Sequence, residues 1–221
     1  MKKDTSKKYA IIAGLLLLIP TLMTLVILFA ENSVYDESAG VLPSVIVLID
    51  GLFTVAFSIS LLICKKKAAH VVTVLIVVLH IFRLFKGVYG FKASVFLSIF
   101  AYLVLLWLFM VSSLPKFKKY AGTLKSLWYV PFALFVIESF ASVGEQIVFY
   151  SEVGDSLAMT MALFQGIFSG VVYSVPYLFV GVWLYKGYKN EQLLQQSACF
   201  SVNAENFPQP MENREEKGEL L

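Results

Sequence analysis

The chain has 221 residues, of which 58% are hydrophobic and only 15% charged. A soluble domain carries roughly 45–50% apolar and about 25% charged residues, so this composition cannot cover a water-facing globule. The apolar residues come in runs long enough to cross a hydrocarbon core about 30 Å thick at about 1.5 Å per residue. The alternation of membrane barrel strands is absent, and backbone in lipid must be satisfied inside helices or closed barrels. The expected fold class is therefore an all-α polytopic membrane protein. Six transmembrane helices are expected at about 9–30, 41–64, 68–86, 91–113, 127–150 and 160–186.

The first run follows Lys2, Lys3, Lys7 and Lys8 and ends in "LFA", which resembles a cleaved signal peptide. Its apolar part is longer than the usual signal core of about 7–15 residues, so an uncleaved first span is expected, with a kink at Pro20. After the acidic loop "ENSVYDESAG", the second run opens with "PSVIVLID" and brings Asp50 close to mid-membrane depth. Cys64 abuts Lys65–Lys67 at the membrane edge, a position that suits acylation; the simpler reading is a small apolar residue near a helix end. The third run is the shortest and carries His70, His80 and Arg83.

The fourth run is followed by Lys116, Lys118, Lys119 and Lys125. The fifth contains "PFALFVIE", with Glu138 near its middle, and continues to Glu145 and Gln146. A charge at a helix centre costs about 2.5–3.5 kcal/mol on insertion scales, against a return of roughly 0.3–0.6 kcal/mol per large aliphatic residue. Both acids thus oppose insertion, and contacts inside the bundle or protonation must compensate. Spaced by two helical turns, Glu138 and Glu145 share a face. The sixth run carries Gln165, Pro176 and a ridge of small residues, Ala162, Gly166, Gly170 and Ser174, whose expected role is close helix packing within the chain, between copies of it, or with another membrane protein. Beyond Lys189 the composition turns polar, and 189–221 reads as a disordered cytoplasmic tail. Its "EKGELL" has the spacing of an acidic dileucine signal, a match short enough to arise by chance.

All Lys and Arg residues except Arg83, Lys86 and Lys92 fall on one side if the N-terminus is inside, and both longer outer loops are acidic. This predicts a basic N-terminus at 1–8, a membrane domain over 9–188, and both termini in the cytoplasm. The net charge of +3 reflects that asymmetry and requires no nucleic-acid partner. Tyr9, Trp128, Tyr129, Trp183, Tyr185 and Tyr188 would line the inner interface. Cys64 and Cys199 lie on the same side, where no disulfide is expected.

An offset of 88 aligns Pro43 with Pro131 and Asp50 with Glu138, and places 11–20 on 99–108. Three spans of displacement reverse every helix, so the pattern suggests an inverted repeat of spans 1–3 on 4–6. Against this, leucine-rich segments share identities easily, and the third and sixth spans do not align.

The polar residues Asp50, His80, Arg83, Glu138, Glu145 and Gln165 all fall between midplane and outer surface. One reading is a polar cavity with Asp50 and Glu138 as substrate or ion sites, and with His80, Arg83, Glu145 and Gln165 as a gating or structural network in which Arg83 pairs with Glu145. The other is a buried network that only holds helices together. No zinc-ligand spacing, nucleophile elbow or phosphate loop is present, so no metal, cofactor or catalytic residue is expected. The expected function is small-solute or ion transport. An accessory subunit of a membrane complex is the alternative, and an intramembrane enzyme built on Asp50 and Glu138 the third.

Overall fold

Long apolar runs with few charged interruptions leave the backbone one economical solution, helix after helix. The computed structural model describes residues 5–32, 41–85, 92–154 and 156–205. The helices are α1 (Lys7–Asn32), α2 (Val41–Leu62), α3 (Lys66–Phe85), α4 (Ala93–Ser113), the four-residue α5 (Leu124–Leu127), α6 (Val130–Val153) and α7 (Ser156–Glu205), with a 3-10 helix at Pro115–Thr123. The first five expected spans fall on α1, α2, α3, α4 and α6. Among the described residues, five helices are long and apolar enough to cross a membrane: Lys7–Val26, Val45–Leu62, Lys66–Phe85, Ala93–Ser113 and Val130–Glu152. The sixth expected span lies within α7, where the side chains of 165, 167–169 and 171 are outside the described residues.

The outer faces of these helices are apolar. Leu15, Ile19, Leu22 and Val26 form an exposed stripe along α1, and Val71, Val74, Val78, Phe82 and Phe85 form another on α3. Water would penalise such stripes and lipid does not, so the surface is consistent with an integral membrane protein.

Glycines allow close approach in two of the helix pairings. A Cβ on Gly14 of α1 would meet Ser58 O and Leu62 Cγ of α2 at 2.9 Å, and one on Gly51 of α2 would meet Leu25 Cδ2 of α1 at 2.6 Å. Each helix thus offers the other a gap, which lets two apolar helices approach closely without a hydrophobic driving force between them. On α7, Gly166 faces Val143 and Gly170 faces Ser139 of α6, while Gly181 approaches the carbonyl of Trp128 just before α6. The small-residue ridge therefore packs inside this chain, antiparallel to α6. A tight turn joins α2 to α3, with Lys65 N–H donating to Ser60 O and Cys64 N–H to Leu61 O, both at 2.9 Å. Cys64 has φ 53° in the left-handed position usually given to glycine.

Burial is uneven along the bundle. Ala10, Phe57, Leu61, Ala69, Leu108, Phe109 and Leu184 are all essentially buried, and all lie toward the end where α1 and α3 begin and α2 and α4 finish. The rings of Phe57 and Phe109 meet edge to face at 6.0 Å, and Phe109 meets Trp183 at 6.3 Å. Lys186 Nζ closes the same end, donating to Tyr9 Oη at 2.7 Å.

The chain divides into Met1–Tyr188 and Lys189–Leu221. Within the second unit helix continues to Glu205, where polarity predicts a disordered tail. Its "NEQLLQQSA" is rich in strong helix formers and free of proline. The "EKGELL" motif and 206–221 lie outside the described residues, as do most of the first acidic loop and the side chain of Cys199.

The α6–α7 contact carries a direct test. Gly170→Leu drives a side chain into Ser139 and is expected to cost about 1–3 kcal/mol, read as a lower midpoint in detergent unfolding. Gly144→Leu, at a position with nothing within 4 Å, should show no such loss.

Candidate functional site

Two polar ridges and an aromatic layer make the site. On α2, Asp50, Thr54 and Ser58 recur every four residues, so they stack along one face. Thr54 Oγ1 donates to Asp50 O at 2.9 Å, and Ser58 Oγ to Thr54 O at 2.7 Å. The carboxylate of Asp50 accepts from Arg83 Nη1 of α3 at 3.2 Å, with Arg83 only 11% and Asp50 29% exposed. His80 sits one turn before Arg83. Its Nδ1 is 2.9 Å from Ile76 O; a carbonyl only accepts, so Nδ1 carries the proton and a neutral ring keeps its lone pair on Nε2.

On α4, Ser94, Ser98 and Tyr102 form the second ridge, and α6 answers with Glu145, Glu138 and Phe135. Glu145 accepts from Ser94 N–H at 3.1 Å and from Ser94 Oγ at 2.8 Å. Lys92, the N-cap of α4, supplies no side-chain acceptor, so a carboxylate from α6 satisfies an orphan amide at the positive end of α4. Glu138 accepts from Ser98. The expected Arg83–Glu145 pairing is replaced by two separate arrangements. Arg83 is held by Asp50 on the neighbouring helix, while Glu145 sits opposite the start of α4.

The third element is aromatic. Tyr102 and Tyr177 share a hydroxyl–hydroxyl hydrogen bond of 2.9 Å. Phe135 stacks on Tyr177 with centroids 4.0 Å apart and meets Tyr102 edge to face at 4.9 Å. His80 leans on Tyr102 with centroids 5.1 Å apart. All three of Tyr102, Phe135 and Tyr177 are buried, and the packed core begins directly beyond them.

Above this layer lies a cavity of about 370 Å³, to which α1, α2, α3, α4, α6 and α7 all contribute. Asp50, His80, Ser98, Glu138, Ser139 and Ser174 supply polar wall, and Tyr102, Phe135, Tyr173 and Tyr177 supply aromatic wall. Asp50 and Glu138 thus face one space, though each is engaged by a different partner. Among the described residues, no group of three or more His, Cys, Asp or Glu side chains is placed to hold a metal ion.

Of the residues singled out by sequence, Asp50, His80, Glu138 and Ser174 line the cavity. Arg83 supports it through Asp50, and Glu145 ties α6 to α4 at its margin. Gly166 and Gly170 pack against α6. The side chain of Gln165 lies outside the described residues. Sequence reasoning passed over Ser94, Ser98, Tyr102, Tyr177 and the threonines of α1. A signal for the first three was present, because they recur every four residues through an otherwise apolar helix.

The Asp50–Arg83 pair predicts an asymmetry between single and double substitution. Arg83→Met strands a part-buried carboxylate and is expected to cost about 3 kcal/mol, whereas Asp50→Leu with Arg83→Met recovers most of that loss; detergent unfolding of the set reads both. No family model, curated protein or solved structure matches the chain.

Proposed function

We propose that the chain is an integral membrane transporter for a small solute or ion, with its substrate site in the cavity shared by Asp50 and Glu138. The observation that carries this reading is the convergence of both acids on one space of about 370 Å³ with mixed polar and aromatic walls. Its volume falls in the range of about 300–1,000 Å³ used by small-molecule sites.

In this reading α7 supplies the sixth span, and both termini lie in the cytoplasm. The distribution of Lys and Arg supports that orientation. The densely packed end around Phe109 and Trp183 then faces inward, and the Tyr102–Phe135–Tyr177 layer is the inner closure beneath the substrate. Pro20 of α1 and Pro176 of α7 lie inside helices, next in sequence to Thr21 and Tyr177 of the cavity wall. Each removes a backbone donor at the depth of the site, which makes α1 and α7 the natural hinges for opening to the inside. The offset-88 relation fits the same scheme, with Asp50 and Glu138 as paired positions of an inverted repeat.

An accessory subunit is the second reading. It is favoured by the Asp50–Arg83 and Ser94–Glu145 contacts, which act as links between helices whether or not anything is carried. An enzyme using both carboxyls is less well supported, since each has its own partner.

Two measurements test the proposal. Flux of small solutes and cations into proteoliposomes should be present for the wild type and fall at least tenfold for Glu138→Gln; indistinguishable flux would remove Glu138 from the mechanism. Epitope tags at either terminus should become accessible in intact cells only after permeabilisation, and exposure of one tag without it would overturn the six-span orientation.

A further inference from the structure

Five serine and threonine hydroxyls around the cavity have spent their protons, and this shapes what its occupant must offer. Thr21 Oγ1 donates to Leu17 O at 2.7 Å, Thr24 Oγ1 to Pro20 O at 3.0 Å, and Thr54 Oγ1 to Asp50 O at 2.9 Å. Ser139 Oγ donates to Phe135 O at 2.8 Å, and Ser174 Oγ to Gly170 O at 2.6 Å. Each turns its one proton back onto its own helix and presents only lone pairs to the space beside it. His80 does the same with Nδ1. This part of the wall therefore presents acceptors, while the donors left to the cavity are tyrosine hydroxyls, Tyr173 and one of the Tyr102–Tyr177 pair.

Charge points the same way. The guanidinium nearest the cavity is committed to Asp50. Glu138 has a serine partner and, among the described residues, no ion pair. A carboxyl away from water is either protonated or matched by a cation, and among the described residues no cationic side chain is paired with Glu138. Four aromatic residues line the same space, and aromatic faces attract a cationic head.

A bare inorganic ion fits these features poorly. It needs a tight shell of about six to eight oxygens for calcium, or a smaller octahedron for magnesium. The acceptors here are spread over helices surrounding a space of about 370 Å³, and no metal-holding cluster is present among the described residues.

We infer that the cavity binds a small organic cation, a protonated amine whose ammonium group is held by Glu138 and the surrounding hydroxyl oxygens while its apolar body lies against Tyr102, Phe135 and Tyr177. This inference rests on the transport reading only for the consequence of binding; the ligand class follows from the wall itself.

The test uses the full-length chain in lipid nanodiscs and three probes of one shape, phenethylamine, phenethyl alcohol and phenylacetate, with calcium and potassium chloride as inorganic cations. Calorimetry should show the amine bound at least tenfold more tightly than the alcohol, with the acid and the inorganic ions weaker still. Glu138→Gln should weaken the amine at least tenfold and leave the alcohol within about twofold. Equal or tighter binding of the acid or the alcohol would overturn the inference on wild-type protein alone, so it stands or falls even if the variant does not fold. Amine binding that Glu138→Gln leaves unchanged would overturn it as well. Binding of the amine without its uptake into proteoliposomes would uphold the ligand class and sink the transporter reading. Uptake of a solute that is not a cation, with the amine ignored, would sink the ligand class and leave transport standing.

Discussion

A polar group on an apolar helix must find its hydrogen-bond partner within the protein, because lipid offers none. The side-chain hydrogen bonds within the bundle follow from that constraint. Threonines and serines fold back onto the carbonyl four residues earlier. Charges meet opposite charges or helix ends, as Asp50 does with Arg83 and Glu145 with the start of α4. Tyrosines meet each other. The same rule that secures the fold leaves the cavity wall rich in acceptors, since its serine and threonine protons largely turn back onto their own helices.

The bundle is asymmetric along its length for a related reason. At one end, large apolar side chains and small residues interlock, with Phe57, Leu61, Leu105, Leu108 and Leu184 essentially buried. Toward the other, side chains from α1, α2, α4 and α6 become short and polar and fill less volume. Hydroxyls and carboxylates cannot close that gap without leaving groups unpaired, and a space remains. Tyr102, Phe135 and Tyr177 mark the boundary, being large enough to seal the packed side and, at Tyr102 and Tyr177, polar enough to face the open one.

Glycines bring together two pairs of the helices that form these walls. Gly14 and Gly51 bring α1 against α2, and Gly166, Gly170 and Gly181 bring α7 against α6. Between them, α4 is placed so that its serine ridge meets the acids of α6. The Ser94–Glu145 and Ser98–Glu138 contacts run antiparallel, with four residues on α4 matched by seven on α6, and they hold Glu138 at the cavity instead of at lipid.

Much of this protein was legible in the sequence. Composition and run length determined an all-helical chain with apolar exteriors, because helix is the one local answer to backbone polarity over long apolar stretches. The cost of burying Asp50 and Glu138 marked them as residues requiring compensation, and both line the cavity. Pairing is another matter. Arg83 stands at similar depth to Glu145 but bonds Asp50, and the partner of Glu145 is a serine whose value comes from lying at a helix start. Depth along a helix is a one-dimensional quantity that a sequence contains. The angle at which each helix faces its neighbours is set by side-chain packing across the whole bundle, and only the tertiary structure decided it.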